Sequence, residues 1–368
     1  MATAITENAA AMKGSERYYR PELDVLRFIA FSLVFIAHTT WPHPWARAGI
    51  LGVPVFFLLS AFLITDLLLQ EKAKTKTIHI KSFYIRRILR IWPLYFAALL
   101  LGFVVVNYFT RRYSMSGTDL AWYLLLGGNW RAATHGYLPL GLNLLWTISV
   151  EEQFYLVWPT LVRWFSRKTI LCIAISMWLV SQVATIVLCA WKIPFEPGIW
   201  CNTFISLQYF AIGAAFSILL NDKLPTISTM SRIAMAALGI AIFMFCGPLL
   251  LGNHPPLIRY ILPGLGLAGI GASLLFMSLL GASLPKLARP VTYMGRVSYG
   301  LYVMHVWVWS AVGFGVLYLT QSINGRIFLR YVLTIILTFT CAILSYKFFE
   351  KPFLKLKSRF EFVKSRSA

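Results

Sequence analysis

Apolar residues run along this 368-residue chain in stretches of about 18 to 25, separated by short polar segments rich in Lys and Arg. A helix of that length crosses a hydrocarbon core of ~30 Å. The pattern predicts helices at 23–42, 50–69, 87–109, 138–163, 170–191, 199–220, 230–251, 258–281, 297–320 and 327–349. The fold class is therefore all-α, a polytopic membrane helix bundle of about ten transmembrane helices. The weakest stretch is 110–137, where the apolar run 122–128 is too short to cross and is expected to be interfacial or re-entrant. No internal repeat or separate soluble domain interrupts the pattern. The chain divides into an N-terminal segment 1–22, a transmembrane domain 23–349 and a basic tail 350–368, which is expected to meet anionic lipid.

Composition supports the membrane assignment. Apolar residues make up 58% of the chain and charged residues 13%, against roughly 25% charged in an ordinary soluble domain. The formal charge of +21 would suit nucleic acid, but the basic residues sit in the segments between spans and read as topology signals. One side collects 25 of the 34 Lys and Arg and the other side eight, with Arg27 inside the first span. The positive-inside rule then puts the N- and C-termini in the cytoplasm. The first span is full length with no small-residue cleavage site after it, so an uncleaved signal anchor is expected. Cys172, Cys189, Cys201, Cys246 and Cys341 lack zinc or disulfide spacing and read as packing residues, and no metal is expected.

Function should be sought where an ionisable group interrupts a span, because each such group costs at least ~2.5 kcal/mol unless paired or facing water. In the first span, Arg27 and His38 are eleven positions apart, which is three turns plus about 20°, so they share one face. Asp24 lies one turn before Arg27, close enough for an ion pair. The axial rise of ~16 Å between Arg27 and His38 means that they can grip a common ligand only if it is long. Each also has a plainer reading: Arg27 snorkelling to the interface, and His38 as an interfacial residue beside Trp41 and His43.

Three further clusters stand out. Arg86, Arg87 and Arg90 sit at the start of the third span, where they either flank lipid phosphates or offer planar donor forks to a nucleotide phosphate. Glu151 and Glu152 fall in the middle of the fourth span, about 100° apart, so one can face a cavity while the other pairs with a neighbouring helix. His305 lies in the ninth span, where a hydrogen bond to a backbone carbonyl is the plain alternative to a functional role.

Taken in order, these segments resemble the membrane-bound acyltransferase 3 family, whose members O-acylate surface polysaccharides and related acceptors. The resemblance rests on Leu23-Asp24-Val25-Leu26-Arg27 with His38, on 56–64 with Ser60, on Arg86-Arg87-Ile88-Leu89-Arg90-Ile91-Trp92-Pro93, on Ser149-Val150-Glu151-Glu152-Gln153-Phe154-Tyr155, on 294–305 and on 346–352. Val25 and Ala61 stand where the family usually or often has glycine. The resemblance implies an integral protein of the plasma membrane, the inner membrane in bacteria. It implies an acyl-CoA donor, acetyl-CoA first, and a carbohydrate or glycoconjugate acceptor, with no nucleic acid as partner. Some members carry an extracytoplasmic hydrolase-like domain at the C-terminus, and a partner supplying that role here would be a separate protein.

By the same resemblance, Arg86, Arg87 and Arg90 would hold the phosphates of the donor, with its pantetheine arm passing Arg27 toward His38. A histidine with an ordinary pKa near 6.5 can take the proton of an attacking hydroxyl. His38 is then a general base or a covalent acyl relay, Glu151 or Glu152 orients it or another cavity residue, and Asp24, Ser60, Ser149 and His305 are further candidates. The competing class is a polysaccharide or acyl-group transporter without chemistry of its own, which buried charges suit equally well.

Overall fold

The computed structural model describes residues 19–39, 44–109, 114–221, 223–251, 255–319 and 321–363. The expectations for residues 1–18, for Trp41 and His43, and for 364–368 lie outside these. The helices are α1 (Pro21–Thr39), α2 (Gly52–Thr75), α3 (Ile80–Val104), α4 (Gly117–Leu124), α5 (Gly128–His135), α6 (Leu145–Trp164), α7 (Arg167–Ala190), α8 (Thr203–Leu220), α9 (Thr229–Leu251), α10 (Ile258–Leu279), α11 (Arg289–Arg296), α12 (Ser298–Leu319), α13 (Ile323–Leu344) and α14 (Lys351–Lys357). Among the described residues, ten have 18 residues or more, and these correspond one to one with the ten expected spans. Eight of the ten are apolar enough to cross a membrane by length and composition. The other two, α1 and α6, are the helices that carry the intramembrane charges.

Burial explains which helices can hold those charges. Helix α2 is the central post, with 78% of its apolar window buried, whereas the corresponding window of α13 is only 17% buried and faces outward. Around α2 pack α8, α1, α10 and α6, and the pairs α9 with α10 and α12 with α13 complete the wall. Gly213 of α8 lets that helix approach α2 closely, since a Cβ there would overlap the Leu58 carbonyl and press on Ala61. The small residue that this crossing needs is thus supplied from the facing helix.

Helix boundaries follow local chemistry. The run 80–86, too polar to be counted in the expected span, is continuous with α3 as helix. Residues Leu140–Leu144 wind as a tighter turn after Pro139, so α6 begins at 145 and not 138. Asn202 caps α8 by accepting from Phe204 N, which sets its start past the expected 199. Within the uncertain stretch, the described residues 114–137 hold two short helices, the first opened by a reciprocal Ser116–Asp119 capping box. Arg131 Nε then joins them by a 2.7 Å bond to Asp119.

Several basic residues taken as topology signals also cap helix C-termini, where carbonyls lack partners. Lys72 Nζ donates to Val162 O and Phe165 O at 2.8 Å, at the end of α6. Arg232 donates to Ser278 O and Leu280 O at the end of α10. The tail also departs from expectation: 351–363 turns back and packs against α3, with Arg86 Nη1 donating to Phe360 O at 2.6 Å.

Candidate functional site

Where α1, α2, α3, α6 and α12 meet, their inward faces leave a cavity of about 1330 Å³, its open mouth included. Tyr19, Arg20, Leu67, Arg87 and Lys357 stand at the end nearest the chain termini, and Val53, Phe56, Thr147 and Tyr302 close the far end. Between them lie Asp24, Arg27, Ser60, Arg90, Glu151 and Tyr155. Five cationic side chains therefore line the space against two carboxylates, a balance suited to an anion.

The α1 charges are built as a unit. Asp24 is 1% exposed, and its Oδ1 accepts from Arg27 Nη1 at 2.7 Å. The Tyr19 hydroxyl donates to Asp24 Oδ2 at 3.0 Å and accepts from Arg296 Nη2 at 2.9 Å. Helix α11 can bring Arg296 this close because it lies directly on α1 at Gly295, where a Cβ would overlap the Asp24 carbonyl. Arg20 is turned to Asp66, 3.6 Å away.

The three arginines at the start of α3 part company. Arg86 is buried and spoken for, with Nη2 2.9 Å from Glu71 Oε2 and Nη1 on Phe360 O. Arg87 and Arg90 face the cavity instead. Arg87 lies over the rings of Phe83 and Tyr155, and among the described residues its buried Nε has no hydrogen-bond partner. An unpartnered guanidinium nitrogen in a low-dielectric site favours an anion there.

The two glutamates also divide. Ser60 Oγ donates to Glu151 Oε1 at 2.6 Å inside the cavity. Glu152 turns toward α3, where Trp92 Nε1 donates to its Oε2 at 3.0 Å while Oε1 is buried without a partner among the described residues. Ser149 is fully buried, donates back to Leu145 O at 3.3 Å and stands apart from the cavity lining.

His38 and His305 lie beyond the far end of the cavity and pair with one another. His38 Nδ1 is 2.8 Å from Val34 O and 3.4 Å from His305 Nε2. His305 is fully buried, with Nδ1 2.7 Å from Tyr302 O. A carbonyl can only accept, so each Nδ1 carries a hydrogen. The lone pair of His305 Nε2 then faces the His38 Nδ1–H, and His38 Nε2 is left with its lone pair. The ring of Tyr302 lines the cavity and lies 5.8 Å from the His305 ring, held by a 2.9 Å bond between its hydroxyl and Thr147 Oγ1. Sequence reading passed over Thr147, Tyr302 and Lys357. Tyr302 stood inside a segment already singled out, whereas nothing local marked Lys357 apart from its neighbours in a basic tail.

A bundle of membrane-crossing helices around a cationic cavity, with a carboxylate and a histidine pair deeper along the same helices, defines a polytopic membrane protein equipped to handle an anionic ligand. The chain belongs to the family of the acyltransferase domain, whose model matches residues 20–347. It is 28% identical to the peptidoglycan O-acetyltransferase OatA of Listeria monocytogenes, over 94% of this chain and 58% of that protein. It is also 28% identical to the putative peptidoglycan O-acetyltransferase YrhL of Bacillus subtilis, over 92% of this chain and 56% of the relative. A putative O-acetyltransferase of Staphylococcus aureus is 28% identical over 93% and 59%. The chain spans less than three-fifths of the length of these relatives. No solved structure matches it.

Proposed function

We propose that this chain transfers an acyl group, acetyl in the first instance, from acyl-CoA to a hydroxyl of a carbohydrate or glycoconjugate across the plasma membrane. The observation that carries this reading is that Arg87 and Arg90 face the same cavity as Arg27 and Glu151. Guanidiniums at the end near the termini suit the phosphates of a donor arriving from the cytoplasm, and the apolar stretch inward suits a pantetheine arm. The peptidoglycan named for two relatives supports a polysaccharide acceptor.

In this reading His38 is the base. Its Nε2 accepts the proton of the acceptor hydroxyl as the oxygen attacks the thioester carbonyl, and the sulfur leaves as the thiolate of CoA. The imidazolium so formed keeps its Nδ1–H on Val34 O, which holds the ring orientation through the step. Arg27, fixed by Asp24, guides the donor arm, and Glu151 with Ser60 sets the polar middle of the passage. Tyr302 must turn aside for the thioester to reach His38.

The test is the ester itself. Cells expressing the wild type should carry an acyl ester on a surface glycan that cells with His38→Ala lack, by mass spectrometry. An ester that persists with a normally inserted His38→Ala protein would remove His38 from the chemistry.

A further inference from the structure

Lys357 is a lysine in the wrong place for a surface tail. It is 8% exposed and lines the main cavity beside Arg87 and Arg90. It also lines the small adjoining pocket with Glu71, Arg86 and Glu361. Glu361, one turn on, meets one of its three N–H groups at 3.2 Å. Burying an ammonium next to two guanidiniums is unfavourable unless an anion is shared among them.

The segment that carries Lys357 is fastened at several points. Arg86 Nη1 donates to Phe360 O at 2.6 Å and Lys74 Nζ to Phe362 O at 3.2 Å. The rings of His79 and Phe362 stack with centroids 3.9 Å apart. Arg86, itself pinned by Glu71, therefore acts as the clasp of this strap. Lys355, two residues before Lys357, is exposed on the other side.

We infer that Lys357 completes a three-cation site with Arg87 and Arg90 for the phosphates of a nucleotide-linked acyl donor, so that the strap 351–363 is a wall of the donor site. This rests on the donor reading above. Two groups on α3 and one from the end of the chain would surround the polyphosphate from opposite sides, which neither segment does alone. Lys357 binds and does not take part in acyl chemistry, so its loss should weaken donor binding and leave turnover at saturating donor little changed.

The experiment is titration of the purified full chain in neutral detergent with CoA, and with pantetheine as a probe that lacks the phosphates. Lys357→Gln is expected to weaken CoA binding at least about fivefold, Lys357→Arg to retain it and Lys355→Gln to leave it unchanged, with pantetheine insensitive to all three. In the wild type, CoA should also shield Lys357, and not Lys355, from a small amine-modifying reagent read by mass spectrometry. That readout needs no variant to fold. Equal CoA binding by wild type and Lys357→Gln, or labelling of Lys357 indifferent to CoA, would overturn the inference and leave the donor reading standing. A wild type that binds no CoA would overturn the donor reading, and this inference with it.

Discussion

The imidazole nitrogens His305 Nε2 and His38 Nδ1 stand 3.4 Å apart across the packing of α12 on α1. The carbonyls of Val34 and Tyr302 fix both tautomers: the His38 Nδ1–H is given to Val34 O with the His305 Nε2 lone pair beside it, and His38 keeps Nε2 as a base. His305 is then a positioning residue. Replacing it with alanine should lower kcat roughly ten- to a hundredfold by letting the His38 ring turn, with the donor KM little changed. His305→Gln, whose amide oxygen can accept the same hydrogen, should recover much of the loss in a steady-state assay. Full activity in the alanine variant would show that Val34 O alone suffices.

Among the described residues, the hydrogen bond that Glu151 receives is the 2.6 Å one from Ser60 Oγ. Ser60→Ala should destabilise the bundle by about 1–3 kcal/mol through the under-partnered carboxyl, read as a lowered melting temperature in detergent. Glu151→Gln keeps the shape and discards the charge. It should fold normally and lose at least about tenfold in transfer rate. Wild-type transfer by Glu151→Gln would assign this carboxylate to packing.

Gly295 is required because α11 rests on the Asp24 carbonyl. Gly295→Leu should cost about 1–3 kcal/mol by overpacking. It should also weaken donor binding by displacing the Asp24–Arg27 pair. Fluorescence-detected thermal unfolding and CoA titration of the same sample separate the two effects.

The Asp119–Arg131 pair joins the two short helices outside the spans. Burial alone would raise the Asp119 carboxyl, but hydrogen bonds from Arg131 and from Ser116 together hold it below its ordinary 3.8. A depressed carboxyl contributes stability that is complete above the ordinary value and is lost as pH falls through the lower, folded one. Amide exchange across 117–135 should therefore stay slow as pH is lowered toward 3.8 and rise below it, after correction for intrinsic rates. Asp119→Asn should exchange faster at neutral pH and show no such acid transition.

Much of this was legible in the sequence because membranes make errors expensive. Ten apolar runs gave ten long helices, and the i, i+3 spacing of Asp24 and Arg27 became a 2.7 Å ion pair. What the sequence hid was the direction in which neighbouring side chains point. Arg86, Arg87 and Arg90 read as one cluster, yet the helix turns Arg86 away to Glu71 while the other two face the cavity. Arg27 lines the cavity and His38 does not, while Tyr302 from a distant helix does, and no local pattern announces a residue placed by tertiary packing. Lys357 was invisible for the same reason.

The most direct test is vectorial transfer in proteoliposomes. Acetyl-CoA with a labelled acetyl group is supplied on the face bearing the termini, and a saccharide acceptor such as an N-acetylglucosamine oligomer on the other. The wild type should place label on the acceptor as an ester and His38→Ala should not, while a variant with both Arg87 and Arg90 changed to Gln should need far more donor. Label transferred equally well without His38, or none transferred by a well-folded wild type given acceptor and donor, would contradict the account.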